Sequence, residues 1–382
     1  MARVDGQVVL APFVIPGERI SITTEPVKTG LLRTSSLHVI QPASSRILPR
    51  CEYFMDCGGC HYQHIEYAFE REQKRAILVE TFQRLGGFAY EGEIHILSGH
   101  EWNYRNRVQL HFEDERSGFH KARSRELCAI THCEISSPML NDVVRALSAA
   151  VKQPEWPRFL QSLDIFTNET EVQLTITDST RPVAARFFEW CNTFLPPLVP
   201  GALTYSAAGH SFRVSRGSFF QVNRFLIDAL IEEVVGNASG SHAIDLYAGV
   251  GLFSLPLAER FVRVEAIEQS GPAARDLEWN ASPINNIRAV RAAADKFLQQ
   301  LDRPPDLIVA DPPRMGLGCL TTGELLRLKP RFLKLVSCDP STLARDLRSL
   351  LSEYRLDRLT LIDLFPQTYH FEVVVHLERK HR

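Results

Sequence analysis

The chain has 382 residues, which is too long for one small hydrophobic core and predicts two or three domains. Its apolar content of 45% and charged content of 23% are ordinary for a soluble globular enzyme, and no apolar run is long enough to span a membrane. The net charge of −2 neither favours nor excludes nucleic acid, because a polyanion needs only a local basic face. The N-terminus lacks the basic-then-apolar pattern of a secretory signal, so we expect a cytoplasmic protein.

The first 42 residues are rich in Val, Ile and Thr and contain turn signals at Asp5-Gly6, Pro16-Gly17 and Thr29-Gly30. β-Branched residues favour strands, and Gly or Pro favours the turns between them. The segment therefore predicts a few strands of a small β-barrel, with an irregular extension as the alternative.

Three of the eight cysteines, Cys51, Cys57 and Cys60, lie within ten residues, and two glycines separate the last two. In a reducing compartment, clustered cysteines are more often metal ligands than disulfide partners. Three ligands do not complete a tetrahedral set, so we expect a fourth, with Cys133 as the best candidate and Cys128 as its rival. Four thiolates suit either structural zinc or an iron–sulfur cluster, and the spacing does not choose between them.

A helix and a mixed α/β region follow the cysteines. Residues 65–85 are dense in charged residues with apolar residues near helical spacing, which predicts one amphipathic helix. Alternation over residues 104–119 predicts a half-buried strand that turns at Ser117-Gly118, and residues 163–166 and 172–177 alternate in the same way. The densest group of basic residues in the chain also lies here and comprises Arg105, Arg107, Lys121, Arg123 and Arg125. This group indicates either a solvated face or a surface that contacts phosphate.

The C-terminal third alternates strands with helices. Residues 242–258 predict a strand, a glycine turn and a helix, residues 263–268 and 305–310 predict two further strands, and residues 332–336 a fourth that leads into a helix from Pro340. This alternation is typical of a doubly wound, largely parallel sheet. Ligands of such sheets bind beyond the carboxyl ends of the strands, where the motifs of this region lie.

The turn after the first of these strands contains Gly249 and Gly251, which let the backbone approach a ligand closely. The third glycine of a dinucleotide site is missing, and an acid, Glu268, ends the next strand. A carboxylate in that place can accept both ribose hydroxyls, although a surface carboxylate is the alternative. A ribose without a pyrophosphate fits S-adenosylmethionine, which we expect as the cofactor.

Two further motifs narrow the chemistry. Asp311-Pro-Pro-Arg314 resembles a motif of amino-methyltransferases that ends in an aromatic residue, and arginine in that place argues against transfer to an exocyclic amine. Cys338 lies at the junction of the fourth strand and its helix, where helix-terminal amides are expected to favour the thiolate.

Carbon 5 of uracil is a poor nucleophile, but a thiolate that adds to carbon 6 produces an enolate that can attack a methyl sulfonium. A carboxylate near the nucleophile must then remove the carbon-5 proton. Glu372, at the start of the last apolar strand, is the candidate, although a glutamate before three valines would otherwise be explained as a solubilising edge residue.

Six motifs are distributed over the chain: Cys51…Cys57-Gly-Gly-Cys60…Cys133, Ser218-Phe-Phe-Gln-Val-Asn223, Asp245-Leu-Tyr-Ala-Gly-Val-Gly251, Asp311-Pro-Pro-Arg314, Ser337-Cys-Asp-Pro340 and Asp363-Leu-Phe-Pro…His370-Phe-Glu372. With these motifs, nearly the whole chain resembles the RNA uracil-carbon-5 methyltransferases, in particular their iron–sulfur branch that acts on ribosomal RNA. The N-terminal strands resemble the small RNA-binding barrel of this family, the TRAM domain, and begin late, as though the first strand were missing.

This resemblance implies that Cys338 is the nucleophile and Glu372 the general base. It implies a 4Fe-4S cluster on Cys51, Cys57, Cys60 and Cys133. It also implies S-adenosylmethionine contacts from Gln221, Tyr247, Glu268, Asp295 and Asp311. A uridine in folded RNA must be flipped out of its stack, and the expected contacts are Phe219, Phe220 and the basic middle region.

We therefore expect an α/β protein of four segments. Residues 1–42 form a partial TRAM-like barrel, and residues 43–90 form an iron–sulfur segment with its helix. Residues 91–210 form a central α/β RNA-binding domain that supplies the fourth cluster cysteine. Residues 211–382 form a doubly wound, Rossmann-like methyltransferase domain.

The expected activity is methylation of carbon 5 of uridine in 23S ribosomal RNA by a monomer without an obligate protein partner or a membrane contact. The nearest alternative is a methyltransferase for the T-loop uridine of transfer RNA, against which the cysteine cluster speaks. A non-catalytic RNA-binding iron–sulfur protein is disfavoured by the presence of Cys338, Glu372 and Asp311. A DNA cytosine methyltransferase typically places proline before its cysteine, where this chain has Ser337.

Overall fold

The computed structural model describes residues 2–380 and begins with a four-stranded sheet in the order β1-β2-β4-β3. Its strands are β1 (Ala2–Val4), β2 (Gln7–Leu10), β3 (Arg19–Lys28) and β4 (Leu31–Gln41). β1–β2 and β3–β4 are antiparallel hairpins, and β2 runs parallel to β4. Strands are therefore confirmed in the N-terminal segment.

The helix predicted over residues 65–85 is also confirmed. α1 (Tyr67–Thr81) continues into a π-helical turn at Phe82–Gly86 and ends at Gly87, which has a φ of 71°. Leu78 and Phe82 are fully buried and pack into the core of the C-terminal sheet. A short strand, β5 (Ile94–Leu97), follows.

The central part is an antiparallel sheet of five strands, β6 (Arg107–Glu113), β7 (Arg116–His120), β8 (Leu127–Ala129), β9 (Leu160–Thr167) and β10 (Val172–Ser179). They lie in the order β10-β9-β6-β7-β8. α2 (Pro138–Ala150) packs against the sheet through Leu140, Val144 and Leu147, all fully buried. α3 (Ala185–Cys191) follows, and a separate hairpin pairs β11 (Leu203–Ala207) with β12 (His210–Val214).

The turn predicted at Ser117-Gly118 is wrong. The chain reverses at Asp114 and Glu115, and Ser117 and Gly118 lie inside β7. A Cβ atom at Gly118 would lie 1.9 Å from the carbonyl oxygen of Cys128 in the paired strand β8. This glycine therefore marks a close backbone approach within a sheet, not a turn.

The C-terminal sheet has eight strands, which are β5, β13 (Gly240–Leu246), β14 (Phe261–Glu268), β15 (Ile287–Arg291), β16 (Leu307–Ala310), β17 (Phe332–Ser337), β18 (Tyr354–Ile362) and β19 (Glu372–Arg379). Their order is β15-β14-β13-β16-β17-β19-β18-β5. The five from β15 to β17 are parallel, whereas β19 is antiparallel to both neighbours. β5 lies in the range expected for the central domain, yet it pairs with β18 of this sheet.

The helices of this part are α4 (Ile227–Val235), α5 (Ser254–Ala258), α6 (Gly271–Ala281), α7 (Ala294–Gln299), α8 (Gly318–Leu328) and α9 (Pro340–Leu350). Buried side chains of α4 and α5 pack on one face of the sheet, and those of α1, α7, α8 and α9 pack on the other. The doubly wound, Rossmann-like prediction is confirmed. Between residues 2 and 380, no helix has the length and apolar character needed to cross a membrane.

Candidate active site

Four neighbouring strands of the C-terminal sheet end at one cleft of about 1600 Å³. Tyr247 follows β13, Glu268 ends β14, Asp311 follows β16 and Cys338 follows β17, and all four line the cleft. Because parallel strands end at the same edge of a sheet, side chains that are far apart in the sequence converge there. Glu372 begins the antiparallel β19 and reaches the same cleft from the opposite direction.

The glycine turn after β13 is built from residues in the left-handed region, with φ angles of 61° at Tyr247, 58° at Gly249 and 99° at Gly251. The amide of Gly249 donates to Oε2 of Glu268 at 2.8 Å, and the amide of Ser270 donates to Oε1 at 2.6 Å. The carboxylate is therefore fixed by backbone donors on both oxygens, and each oxygen keeps a lone pair for a ligand.

Most residues expected to contact S-adenosylmethionine lie on the cleft, namely Gln221, Tyr247, Glu268 and Asp311. Asp295 lies in the first turn of α7 and is not part of the cleft wall. It is still close to the site: the pKa of Tyr247 is raised, first by burial and then by the charge of Asp295.

Asp245 is a buried acid to which the sequence analysis gave no role. It lies in β13, accepts a hydrogen bond from the hydroxyl of Ser254, and its Oδ1 has no partner within residues 2–380. Burial raises the pKa of Asp245 to about 7. An acid inside an apolar strand was the signal available in the sequence.

Cys338 lies between β17 and α9, as the sequence predicted, but the first free amides of α9 donate to another side chain. The carboxylate of Asp339 caps α9 by accepting from the amides of Ser341 at 2.8 Å and Thr342 at 3.1 Å. These are the helix-terminal donors that were expected to favour the thiolate. Burial instead raises the pKa of the Cys338 thiol to about 11, and the charge of Glu372 adds to this effect. That expectation is wrong for the free protein.

The register of β17 and β19 brings Cys338 and Glu372 together. Ser337 pairs with Val373, so the next positions along the two antiparallel strands are Cys338 and Glu372. The charge of Glu372 acts on the Cys338 thiol, so the two predicted catalytic residues lie near each other, and both line the cleft.

Two buried carboxyls and one arginine determine the charge around this pair. Burial, followed by the charge of Asp311, raises the pKa of Glu372 well above its ordinary value, and burial raises that of Asp311 to about 7. The guanidinium of Arg314 lowers the pKa of both Glu372 and Cys338 without offsetting burial. Burial, followed by the charge of Arg314, lowers the pKa of His370 to about 4, so this imidazole is neutral.

The expected cluster cysteines surround a second pocket of about 290 Å³, which is lined by Cys51, Cys57, Cys60 and Cys133. Burial raises the pKa of the first three thiols, to about 11 for Cys57, and the charge of Cys133 raises each further. Cys128 is buried in β8 and is not part of this wall. No group of three or more His, Cys, Asp or Glu side chains in the described part of the chain has the geometry to hold one metal ion. The four thiols suit a metal centre chemically.

The basic residues of the central domain divide into two groups. Arg107 and Lys121 form ion pairs of 2.8 and 2.6 Å with Asp164 and Glu126. Arg105, Arg123 and Arg125 form no ion pair within the described chain, and the first two line the cleft while Arg125 does not. Unpaired guanidinium groups in a cleft are suited to phosphate.

Only one of the two phenylalanines expected to contact the target base presents its ring. Phe219 is 62% exposed and lines the cleft. Phe220 is 2% exposed and packs against Tyr205 and Phe212, with ring centroids 4.8 and 5.8 Å away. Phe220 belongs to the hydrophobic core.

The fold and the cleft define an S-adenosylmethionine-dependent methyltransferase. A solved structure titled as the tRNA (uracil-54, C5)-methyltransferase of Pyrococcus abyssi in complex with S-adenosyl-L-homocysteine has the same fold. It matches with a TM-score of 0.77 and 23% identity, over 98% of this chain and 96% of that one.

Sequence comparison gives the family. The profile described as tRNA (Uracil-5-)-methyltransferase matches residues 199–380. A protein of Aquifex aeolicus named an uncharacterized RNA methyltransferase is 32% identical over 99% of this chain and 95% of its own length. The 23S rRNA (uracil(1939)-C(5))-methyltransferase RlmD of Shewanella sediminis is 28% identical over 99% of this chain and 92% of its own length. The chain belongs to the RNA (uracil-5-)-methyltransferase family and is an enzyme of that class.

Proposed function

We propose that this enzyme methylates a uridine of 23S ribosomal RNA through a covalent adduct on Cys338. The convergence of Cys338, Glu372 and Asp311 in one cleft is the observation that supports the mechanism best. S-adenosylmethionine would be held by Gln221, Tyr247, Glu268, Asp295 and Asp311. When bound, it supplies an electrophilic methyl group and a sulfonium charge, which favours ionised carboxyls and thiols nearby.

The first half of the reaction makes carbon 5 nucleophilic. The thiol of Cys338 gives its proton to solvent water in the open cleft, and the positive charge of Arg314 favours the resulting thiolate. Sγ then bonds to carbon 6 of uracil, and the electrons of the C5–C6 double bond move onto the oxygen of carbon 4. Carbon 5 of this enolate takes the methyl group as the bond between methyl and sulfonium breaks.

The second half releases the enzyme. Carbon 5 now carries both its proton and the methyl group, and Glu372 removes the proton as a general base. The C5–C6 double bond re-forms from the released electrons, and the bond between Sγ and carbon 6 breaks. The raised pKa of Glu372 makes its ionised form a stronger base than an ordinary carboxylate.

Ribosomal RNA is the substrate that we favour. The relative from Shewanella sediminis is named for 23S ribosomal RNA, and the four cysteines argue in the same direction. Transfer RNA is the second candidate, because the similar structure from Pyrococcus abyssi is titled for it.

We further propose that Cys51, Cys57, Cys60 and Cys133 hold a 4Fe-4S cluster that serves folding and RNA docking without redox chemistry. The cysteine segment is in contact with the loop between β18 and β19, which leads to Glu372. The amides of His61 and Tyr62 donate to the carbonyl oxygen of Gln367 at 2.8 and 3.0 Å. A metal centre that fixes this segment would thereby also fix the loop that leads to Glu372.

The boundaries 1–42, 43–90, 91–210 and 211–382 remain our proposal for the functional segments, and so does a monomer without an obligate protein partner. Sedimentation equilibrium of the purified protein tests the oligomeric state.

The mechanism is tested with Glu372→Gln protein, S-adenosylmethionine and either 23S ribosomal RNA fragments or transfer RNA, on denaturing gels. Without the base, the reaction should stall after methyl transfer and leave RNA bound to Cys338, and a Cys338→Ala background should abolish the adduct. An adduct with transfer RNA alone would keep the mechanism and reject the substrate. No adduct with either RNA, from a folded protein that holds its cluster, would reject the mechanism.

A further inference from the structure

The cleft is larger than a cofactor and one target base require. Its volume of about 1600 Å³ exceeds the roughly 300–1,000 Å³ of small-molecule sites. Residues at the ends of the strands of the C-terminal sheet supply one part of the wall, and Arg105 with residues between Gly217 and Val222 supplies a second. A third part comes from the segments 11–14, 58–64 and 122–123. We call this third part, where it meets the loop between β18 and β19, the flanking subsite, and define it by Phe13, His61, His64, Arg123 and Tyr369.

Tyr369 gives the flanking subsite a fixed and accessible aromatic ring. The side chain is 51% exposed, although imidazole rings pack against it, with centroids 4.4 Å away for His61 and 4.2 Å for His370. RNA-binding proteins bind single-stranded bases by stacking them on such rings. Tyr369 is therefore suited to hold a base other than the target uracil, because the target itself must reach Cys338.

The subsite also contains polar atoms that lack partners. His64 is 2% exposed and packs against Phe13 and Phe54, yet neither ring nitrogen has a hydrogen-bond partner within residues 2–380. The same holds for Nδ1 of His61. Buried polar atoms normally find partners, and a neutral imidazole offers one donor and one acceptor. Each of these nitrogens is buried, so the accessible contacts of the subsite are those of Tyr369 and Arg123.

The charge of the flanking subsite suits the RNA backbone. Arg123 is exposed at its rim and forms no ion pair with any described carboxylate. Residues 11–14, 58–64 and 122–123 contribute no acidic side chain to the wall. A phosphate therefore meets a free guanidinium and no repulsive charge on this side of the cleft.

We propose that the flanking subsite binds one unpaired nucleotide next to the target uridine. Its base stacks on Tyr369, and its phosphate contacts Arg123. The enzyme thereby recognises a second nucleotide of the RNA in addition to the methylated one. This inference rests on the proposed function only in assuming that the RNA target is held in this cleft.

Binding measured by fluorescence anisotropy tests the proposal without catalysis. The two probes are a labelled short oligouridylate and the same oligomer with abasic ribose at every position except the central uridine. Wild-type protein should bind the first probe more tightly. Tyr369→Leu should reduce that advantage by about five- to a hundredfold, the contribution of one stacked base, with little effect on the abasic probe. Tyr369→Phe should retain the advantage.

Two further variants separate the contributions. Arg123→Gln should weaken both probes by the same factor, because the phosphates are common to them. Trp279→Leu removes an aromatic side chain that is 62% exposed but outside the cleft, and it should change neither. The subsite would be overturned if Tyr369→Leu kept the full advantage of the first probe, or if Tyr369→Leu lost affinity equally for both probes. Base-dependent binding together with a failed adduct test would instead reject the covalent mechanism alone.

Discussion

The ammonium group of Lys74 lies 2.7 Å from Oδ1 of Asp363, and both side chains are fully buried. The same group contacts Glu70 at 2.8 Å and donates to the carbonyl oxygen of Phe365 at 3.2 Å. It thereby ties α1 to the loop between β18 and β19, which lines the cleft immediately before Glu372. The helix that follows the cysteine segment is thus part of the frame of the active site.

Replacing Lys74 with methionine should lower the free energy of unfolding by about 3–5 kcal/mol, because two buried carboxyls lose their shared cation. Urea denaturation followed by tryptophan fluorescence measures this. Arg75→Ala is the matched control on the same helix, since it breaks only the exposed pair with Glu72 and should cost less than about 1 kcal/mol. Equal losses in the two variants would contradict the role of Lys74.

This network could not have been predicted from the sequence, whereas the position of Cys338 could. Cys338 follows a short apolar run and precedes the pattern Asp-Pro-Ser-Thr, which are local signals of a strand end and a helix start. Lys74 lies in a helix rich in charged residues, and its partner Asp363 is 289 positions away. Nothing in the local pattern distinguishes this lysine from a solvated one.

The glycines illustrate the same limit. Gly249 was assigned to a ligand-facing turn, and its φ of 58° and the open space around it agree with that prediction. Gly118 looked equally like a turn residue, but the reason for it is a carbonyl oxygen of another strand. The strand pairing that creates this close approach is a tertiary contact, and the dipeptide Ser-Gly does not indicate it.

Gly118→Ala should therefore destabilise the protein by at least about 1–3 kcal/mol, because the new methyl group meets backbone that cannot move without breaking the β7–β8 pairing. Gly323→Ala is the opposite case. Gly323 lies inside α8 with no atom near its missing Cβ, so alanine should stabilise the protein by about 0.5–1 kcal/mol. Thermal unfolding of both variants would show opposite shifts in Tm, and a loss in both would reject the explanation.

The assignment of the fourth cluster ligand gives a third prediction. Cys133→Ser should lower the iron and acid-labile sulfide bound per chain, whereas Cys128→Ser should leave both unchanged, because only Cys133 lines the pocket shared with the other three cysteines. Metal analysis and sulfide analysis of anaerobically purified protein provide the measurement. Zinc without sulfide in the wild type would replace the iron–sulfur proposal with a structural zinc site. Loss of iron in Cys128→Ser, with iron retained in Cys133→Ser, would make Cys128 the fourth ligand in place of Cys133.

Alkylation with iodoacetamide reports how much of Cys338 is ionised, because the thiolate reacts and the thiol does not. Burial raises its pKa to about 11. The thiolate fraction, and with it the alkylation rate, should therefore rise about tenfold per pH unit through the neutral and mildly alkaline range. The rate should not level off near the ordinary thiol pKa of about 8.5.

Arg314→Met removes a positive charge that lowers the pKa of Cys338 and should slow alkylation throughout that range, whereas Arg314→Lys should retain most of the rate. Mass spectrometry of peptides follows Cys338, with the exposed Cys319 in the same sample as the reference for reagent reactivity. A plateau near the ordinary pKa would mean that Cys338 is already activated in the free enzyme, and deprotonation would then not depend on RNA and cofactor entering the cleft.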